Sequence, residues 1–497
     1  MRRLLIVMLV ITVGATACAS GTARRVSKAP VSSTAKGAPT SSGGSIDWHA
    51  CGSVDCATLA VPLVAGKPAR GTISLALARH RATGERIGAL LTNPGGPGTA
   101  GLWIAQQAEQ VFPATILQHF DIVAWDPRGT GRSTAVDCTS KLDFFWSVDR
   151  TPDNAMEVAA NASAAQRLAN DCAAHSGRIL PYLSSQASAA DMESIRRALG
   201  DKQISYIGFS YGTYLGTLYA NAYPSHVRAM VLDGAIDPAL SSDAAGEQQA
   251  VGFEQSLDAF LADCSKRPSC AFHSGGKSAT AFDRLMRQID AEPVYAKLHG
   301  ETRSLGPGEA DVGVAEAMYG GRSTWTKLAS ALAAAARGEG AKLLALSDDY
   351  TERTTGGTYS NQTGAFYATG CLDSPMPPNV AAVQQEADRA SRLAPHFGAS
   401  TIWLGLPCVY WRAASKAKPT ALAARGAPPI LVLGTTHDPA TPFAWATSLA
   451  RELQSGHLVA LNDEGHTAYA RGSTCIDRVV HAYLLHLTVP KAGTTCT

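Results

Sequence analysis

The 497-residue sequence predicts an α/β protein: a mostly parallel sheet with helices on both faces, interrupted by a long helical insertion. Three observations point there. Short, continuous apolar runs that read as buried strands alternate with helical stretches, the pattern of a parallel sheet covered on both sides. Glycine, proline, asparagine and aspartate close these runs as turns. One connection, from the run at 229–232 to the run at 430–433, spans roughly two hundred residues where one crossover helix would suffice, and it reads as largely helical. With 45% hydrophobic and 17% charged residues the chain has ample core, and a net charge of +2 gives no reason to expect a nucleic-acid partner. There is no Walker loop, H-E-x-x-H or C-x-x-C, so no metal or cofactor is expected.

The elements follow in order. Arg2-Arg3 and the apolar run from Leu4 to Val13 read as an export signal, too short to span a bilayer as a mature helix. Two cleavage readings compete. Ala15-Thr16-Ala17 is an A-x-A site that would release a secreted protein. The same residues before Cys18 resemble a bacterial lipobox, with Ala15 where leucine is usual, and this reading attaches a lipid to Cys18 and the chain to a membrane. Cysteine parity favours the lipobox: removing Cys18 from the 11 cysteines leaves an even number in an exported chain. The rest fall in near pairs, Cys51/Cys56, Cys138/Cys172, Cys264/Cys270, Cys371/Cys408 and Cys475/Cys496, although spacing alone does not fix connectivity. The expected organisation is a signal over 1–18, a flexible Ser/Thr/Ala/Gly/Pro tether over 19–45, a core over 46–238, a helical lid over 239–425 and the rest of the core over 426–497. A monomer is expected.

Strands are predicted at 72–78, 89–92, 121–125, 204–207, 229–232, 430–433 and 458–461, with lid helices at 282–289, 324–337 and 380–393. In such sheets reactive groups collect where strands end. After the strand at 204–207 comes Gly208-Phe209-Ser210-Tyr211-Gly212, then a helical stretch stopped by Pro224. G-x-S-x-G is weak by itself in a chain with 46 glycines, but strand, sharp turn and helix make the setting of a nucleophile elbow. Asp438 follows the strand at 430–433, and His466 lies in the loop beyond the last strand. Asp463 is the rival acid and His437 the rival base. A hydroxyl attacks poorly unaided. His466 would take the Ser210 proton, and Asp438 would hold the imidazole in the right tautomer. Serine, aspartate, histidine, each after its own strand, is the α/β-hydrolase order. The glycine-rich Asn93-Pro94-Gly95-Gly96-Pro97-Gly98 has the backbone freedom an oxyanion hole needs, and the loop from Asp126 to Ser133 reads as a brace.

"NPGGPG", "DPRGTGRS", "GFSYGTYLG", "VLDGAIDP", "ATGCLDSP" and "GHTAYARGSTCIDRVVHAYL" together resemble the exported tripeptidyl-aminopeptidase-like α/β-hydrolases of actinomycetes. These are relatives of the proline iminopeptidases and include mycobacterial lipoproteins labelled protease or carboxylesterase. Asn93 replaces the histidine of the iminopeptidase "HGGPG". The resemblance implies oxyanion donors at the backbone N–H of Gly96 and Tyr211. It also implies a closing lid and carboxylates that hold a substrate's free amino end, for which Asp373 and Asp237 are the candidates. The expected activity is that of an exported serine peptidase removing short peptides from free N-termini. The alternatives are a carboxylesterase on the same triad, and a binding lipoprotein without catalysis.

Overall fold

The computed structural model describes residues 46–497 apart from 376, 414 and 416. The signal, the tether and Cys18 lie outside the described residues. The strands are β1 (His49–Cys51), β2 (Val54–Pro62), β3 (Thr72–His80), β4 (Gly88–Asn93), β5 (Phe120–Trp125), β6 (Ile204–Phe209), β7 (Val227–Asp233), β8 (Val294–Leu298), β9 (Glu301–Leu305), β10 (Ile430–His437), β11 (Gly456–Glu464) and β12 (Thr495–Cys496). All but β8 and β9 form one sheet, in the order β1-β2-β3-β5-β4-β6-β7-β10-β11-β12. From β5 to β12 every neighbour is parallel, while β1, β2, β3 and β5 pair antiparallel.

Burial explains which strands were legible. β4 and β5 are buried at every position, and their sequences GALLTN and FDIVAW are accordingly mostly apolar. β2 buries only some of its positions, as an antiparallel strand near an edge does, and its sequence VDCATLAVP gives no such run. The segment between β7 and β10 is mostly helical, including Ser242–Lys266, Ser278–Ala291, Pro307–Tyr319, Trp325–Ala335, Gln362–Asp373 and Val380–Leu393. It departs from the all-helical expectation at the β8–β9 hairpin. His299 and Gly300 turn there with φ of 51° and 85°, the positive values a tight hairpin turn needs. The insertion has a hydrophobic cluster of its own around Leu257, Phe260, Phe282, Met318, Trp325 and Leu332. Its Gln362–Asp373 helix packs instead with the sheet's cluster through Tyr367, Ala368 and Cys371.

The cysteines pair sequentially: Cys51–Cys56, Cys138–Cys172, Cys264–Cys270, Cys371–Cys408 and Cys475–Cys496. The loop after β5 is the expected brace. Asp126 accepts hydrogen bonds from the Gly101, Leu102 and Arg132 amides at 2.8, 3.2 and 2.8 Å. Arg128, 1% exposed, makes a two-point contact with Asp191 at 2.8 and 2.6 Å. It also donates to the carbonyls of Leu63 and Tyr182 at 3.0 and 2.7 Å. One guanidinium thus joins the end of β2, the turn at 180–182 and the Ser185–Leu199 helix. Removing one partner of such a pair leaves a buried charge uncompensated. Arg128→Met is expected to lower unfolding free energy by about 3–5 kcal/mol, and Arg128→Met/Asp191→Leu to recover most of that loss. Urea titrations of both variants check this; an equal loss in both would show that packing, not charge, governs the site.

Candidate active site

The Ser210 elbow is built as its glycines predict. Ser210 has φ 53° and ψ −124°, a conformation rare for a residue with a side chain. A Cβ on Gly208 would lie 2.4 Å from the Gly212 carbonyl oxygen, and one on Gly212 would lie 2.8 Å from the Asn93 carbonyl oxygen. Both positions therefore exclude any other residue without a shift of backbone. The strain is held by hydrogen bonds. The Ser210 amide donates to the Asp233 carbonyl at 2.8 Å, and the Ser210 carbonyl accepts from the Thr213 amide and hydroxyl at 2.8 and 2.6 Å.

The loop after β4 lies directly over this elbow. A Cβ on Gly95, where φ is 107°, would sit 2.9 Å from the Ser210 Cβ and 3.2 Å from the Tyr211 nitrogen. Gly95 donates its amide to Asn93 Oδ1 at 3.0 Å. Tyr211 is the first residue of its helix, so its N–H has no partner within that helix. Gly95 of the glycine-rich loop and the start of the Tyr211–Ala222 helix thus meet beside Ser210. On the far side, a Cβ on Gly98 would collide with the Phe366 nitrogen and the Gln362 carbonyl, so the insertion rests on this loop.

His466 enters from the loop after β11. Its Nδ1 lies 2.9 Å from each Asp438 oxygen, which makes Nδ1–H the donor and leaves Nε2 as the acceptor. Asp438 is 3% exposed and accepts four more hydrogen bonds, from the Ala440, Thr441 and Thr467 amides and the Thr441 hydroxyl. Asp463 caps the Glu464 amide and makes no hydrogen bond to His466; His437, the rival base, points largely to solvent and makes none to Asp438. His466 Nε2 is buried without a hydrogen-bond partner among the described residues, so it has no bond to Ser210 in this structure. Such bonds are often long before substrate arrives. The two residues nonetheless converge: Gly234, one residue after the carbonyl that binds the Ser210 amide, lies beneath the imidazole, where a Cβ would be 3.1 Å from Cε1.

Three supports went unrecognised in the sequence. Asp233 is fully buried and accepts hydrogen bonds from the Ala468 and Tyr469 amides, each at 2.8 Å, which pins the loop carrying His466. Burial pushes its pKa up to about 7 despite those bonds. Tyr319, in the insertion, accepts the His466 amide at 2.9 Å and sets its ring edge-on to the imidazole at 5.4 Å. Arg471 donates to the carbonyls of His466 and Gly320. A strand-end Asp followed by Gly was the available signal for Asp233; nothing local marks Tyr319, whose His466 partner lies far along the chain, or the long-range bond from Arg471 to Gly320.

Of the two carboxylates expected at a substrate's amino end, Asp373 lies close to the elbow. It accepts the Ser185 amide at 2.8 Å and the Ser185 hydroxyl, which also bonds the Tyr211 phenol. Burial raises its pKa to about 7, against the pull of those bonds. Asp237 instead caps its own turn, accepting the Ala239 amide at 2.9 Å, and no hydrogen bond joins it to Ser210 or His466.

Residues 88–300 match the family described as alpha/beta hydrolase fold, and residues 394–496 match the one described as TAP-like protein. Serine protease Hip1 of Mycobacterium tuberculosis is 34% identical over 475 residues, 91% of each chain. The chain is a TAP-like α/β-hydrolase. Carboxylesterase B of the same species is 35% identical over 450 residues, 89% of this chain and 86% of the relative. Tripeptidyl aminopeptidase of Streptomyces lividans is 29% identical over 469 residues, 91% of this chain and 86% of the relative. The TAP-like hydrolase described here is thus a serine hydrolase.

The raised pKa of Asp373 has a stability consequence. Its folded pKa of about 7 exceeds an unfolded value of about 3.9, so the folded state holds the proton longer. Its contribution is fully present below about pH 4 and is lost as pH rises to about 7. Asp373→Asn is expected to flatten that part of the stability profile relative to the unaltered protein. Urea unfolding of both at pH 4.5 and pH 8 measures the difference; identical slopes would mean that Asp373 ionises freely in the fold.

Proposed function

We propose that Ser210, His466 and Asp438 form the catalytic triad of a peptidase that removes short peptides from free N-termini. The observation that carries the triad is the His466 imidazole, held by Asp438 through Nδ1, with a buried, unpartnered Nε2 beside the Ser210 elbow. Ser210 Oγ attacks the scissile carbonyl while His466 Nε2 takes its proton. The amides of Gly96 and Tyr211 receive the oxyanion, preorganised by the glycine-rich loop and the helix start. His466 then returns the proton to the leaving amine, and water hydrolyses the acyl-enzyme by the same route. The insertion acts as a lid, supported by its packing on Gly98 and its attachment to the histidine loop. Asp373, beside the elbow, pairs with the substrate's ammonium.

The relatives named protease and aminopeptidase support the peptide reading, and the one named carboxylesterase supports an esterase on the same machinery. A carboxylate near the elbow favours a peptide's ammonium over an uncharged acyl chain. We place the enzyme outside the cytoplasm, lipid-anchored through Cys18, as a monomer. Five disulfides suit an oxidising compartment, and no described helix is long and apolar enough to cross a membrane.

Ser210→Ala is expected to lower kcat by about 10⁶ and to abolish covalent labelling by a fluorophosphonate. Asp438→Asn should cost on the order of 10⁴ and Asp463→Asn less than about tenfold. Steady-state kinetics rank them, and the reverse order for the two acids would assign the triad to Asp463. For the amino end, kcat/KM should fall at least about tenfold when the peptide amine is acetylated, the equivalent of ~1.4 kcal/mol. Assays of free and blocked peptides beside simple esters decide this. Equal cleavage of blocked and free peptides would leave an endopeptidase or an esterase.

A further inference from the structure

Arg150 is a buried cation for which the mechanism has no use. It is 5% exposed, and its guanidinium carbon lies 4.8 Å from the Phe145 ring centre and 5.1 Å from that of Trp146. Nη2 donates to the Phe145 carbonyl at 2.9 Å, whereas Nη1 has no partner among the described residues. A buried guanidinium with an unmade hydrogen bond is costly. Burial pulls its pKa below the ordinary arginine value even with Asp311 and Glu309 nearby. Asp311 compensates poorly, because burial raises its own pKa to about 7. The aromatic rings fix the plane of the guanidinium.

Arg150 lines two adjoining cavities. The wider, of about 220 Å³, is lined also by Asp149, Asp290, Arg287 and His396; the narrower, of about 70 Å³, is lined also by Tyr319 and Tyr350. Arg150 and Asp311 line both. Tyr319 is the residue whose ring meets His466. Asp311 and Tyr319 lie on one helix, a little over two turns apart, or about 12 Å at ~1.5 Å per residue. An extended peptide covers that distance in three to four residues at ~3.3–3.6 Å each.

We infer that Arg150 is a specificity subsite for a carboxylate of the bound peptide, three to four residues from the scissile bond. This rests on the serine-peptidase reading of Ser210. A carboxylate is planar and singly charged, so it matches one free guanidinium edge. The carboxylate has two possible sources, an acidic side chain or the peptide's C-terminus.

The test compares matched peptides in wild-type enzyme. One set steps Glu or Gln through the four positions on either side of the scissile bond. A second pairs free C-terminal carboxylates of increasing length with their amides. At one position, or at one length, kcat/KM should favour the carboxylate at least tenfold. In Arg150→Met that ratio should collapse towards one, and Arg150→Lys should keep part of it. The same pairs titrated into Ser210→Ala protein, followed by tryptophan fluorescence, give the ratio as Kd without turnover. A ratio near one at every position and length in wild-type enzyme and in the Ser210→Ala titration overturns the subsite, whether or not either Arg150 variant folds. Fluorophosphonate labelling of wild-type enzyme reports separately on the Ser210 reading, so the two can fail independently.

Discussion

The site depends on Asp233. Its carbonyl accepts the amide of Ser210, and its carboxylate accepts the amides of Ala468 and Tyr469, just past His466. One buried residue at the end of β7 therefore sets the elbow on one side and the histidine loop on the other. Both are strained: Ser210 has φ 53°, and Thr467 and Ala470 have φ of 68° and 60°. Backbone in these regions persists only where its surroundings over-determine it. The hydrogen bonds to Asp233 supply part of that constraint, and its position between β6 and β10 makes the constraint rigid.

The acid that orients His466 is held by a similar logic. Asp438 receives its imidazole partner together with three amides and a hydroxyl. At Asp233, Asp311 and Asp373 burial outweighs the bonds each carboxylate receives and raises its pKa to about 7.

The insertion is tied to the machinery on two sides. Gly98 lies against the Gln362–Asp373 helix, and the Gly320–Gly321 turn lies against the histidine loop, where Gly321 approaches the Glu464 carbonyl too closely for a Cβ. Arg471 closes that second contact by bonding carbonyls on both partners. The insertion therefore contacts both the loop that carries His466 and the glycine-rich loop after β4.

Local sequence determined a good deal. The strands that are buried on both faces were legible as apolar runs, and the strand ends announced the loops that carry Ser210, Asp438 and His466. Gly208 and Gly212 are required by contacts within the elbow and with its neighbouring strand, so their spacing could be read directly. The near pairing of cysteines matched the bonded pairs, although spacing alone did not fix the connectivity. The antiparallel edge at β1 and β2 escaped notice because half-exposed strands lack an apolar run, and β8–β9 because a short hairpin in a helical insertion has a weak period. Only the tertiary structure decided what Asp233, Tyr319, Arg471 and Arg150 do. Asp233, Tyr319 and Arg471 each act on a partner that the fold brings from far along the chain. Arg150 lies beside Phe145 and Trp146 in sequence, yet its meaning comes from the cavity it lines, which exists only after α/β core and insertion pack together. A lone arginine in "SVDRTPDN" carries no trace of that burial, because burial belongs to the packed chain and not to the segment.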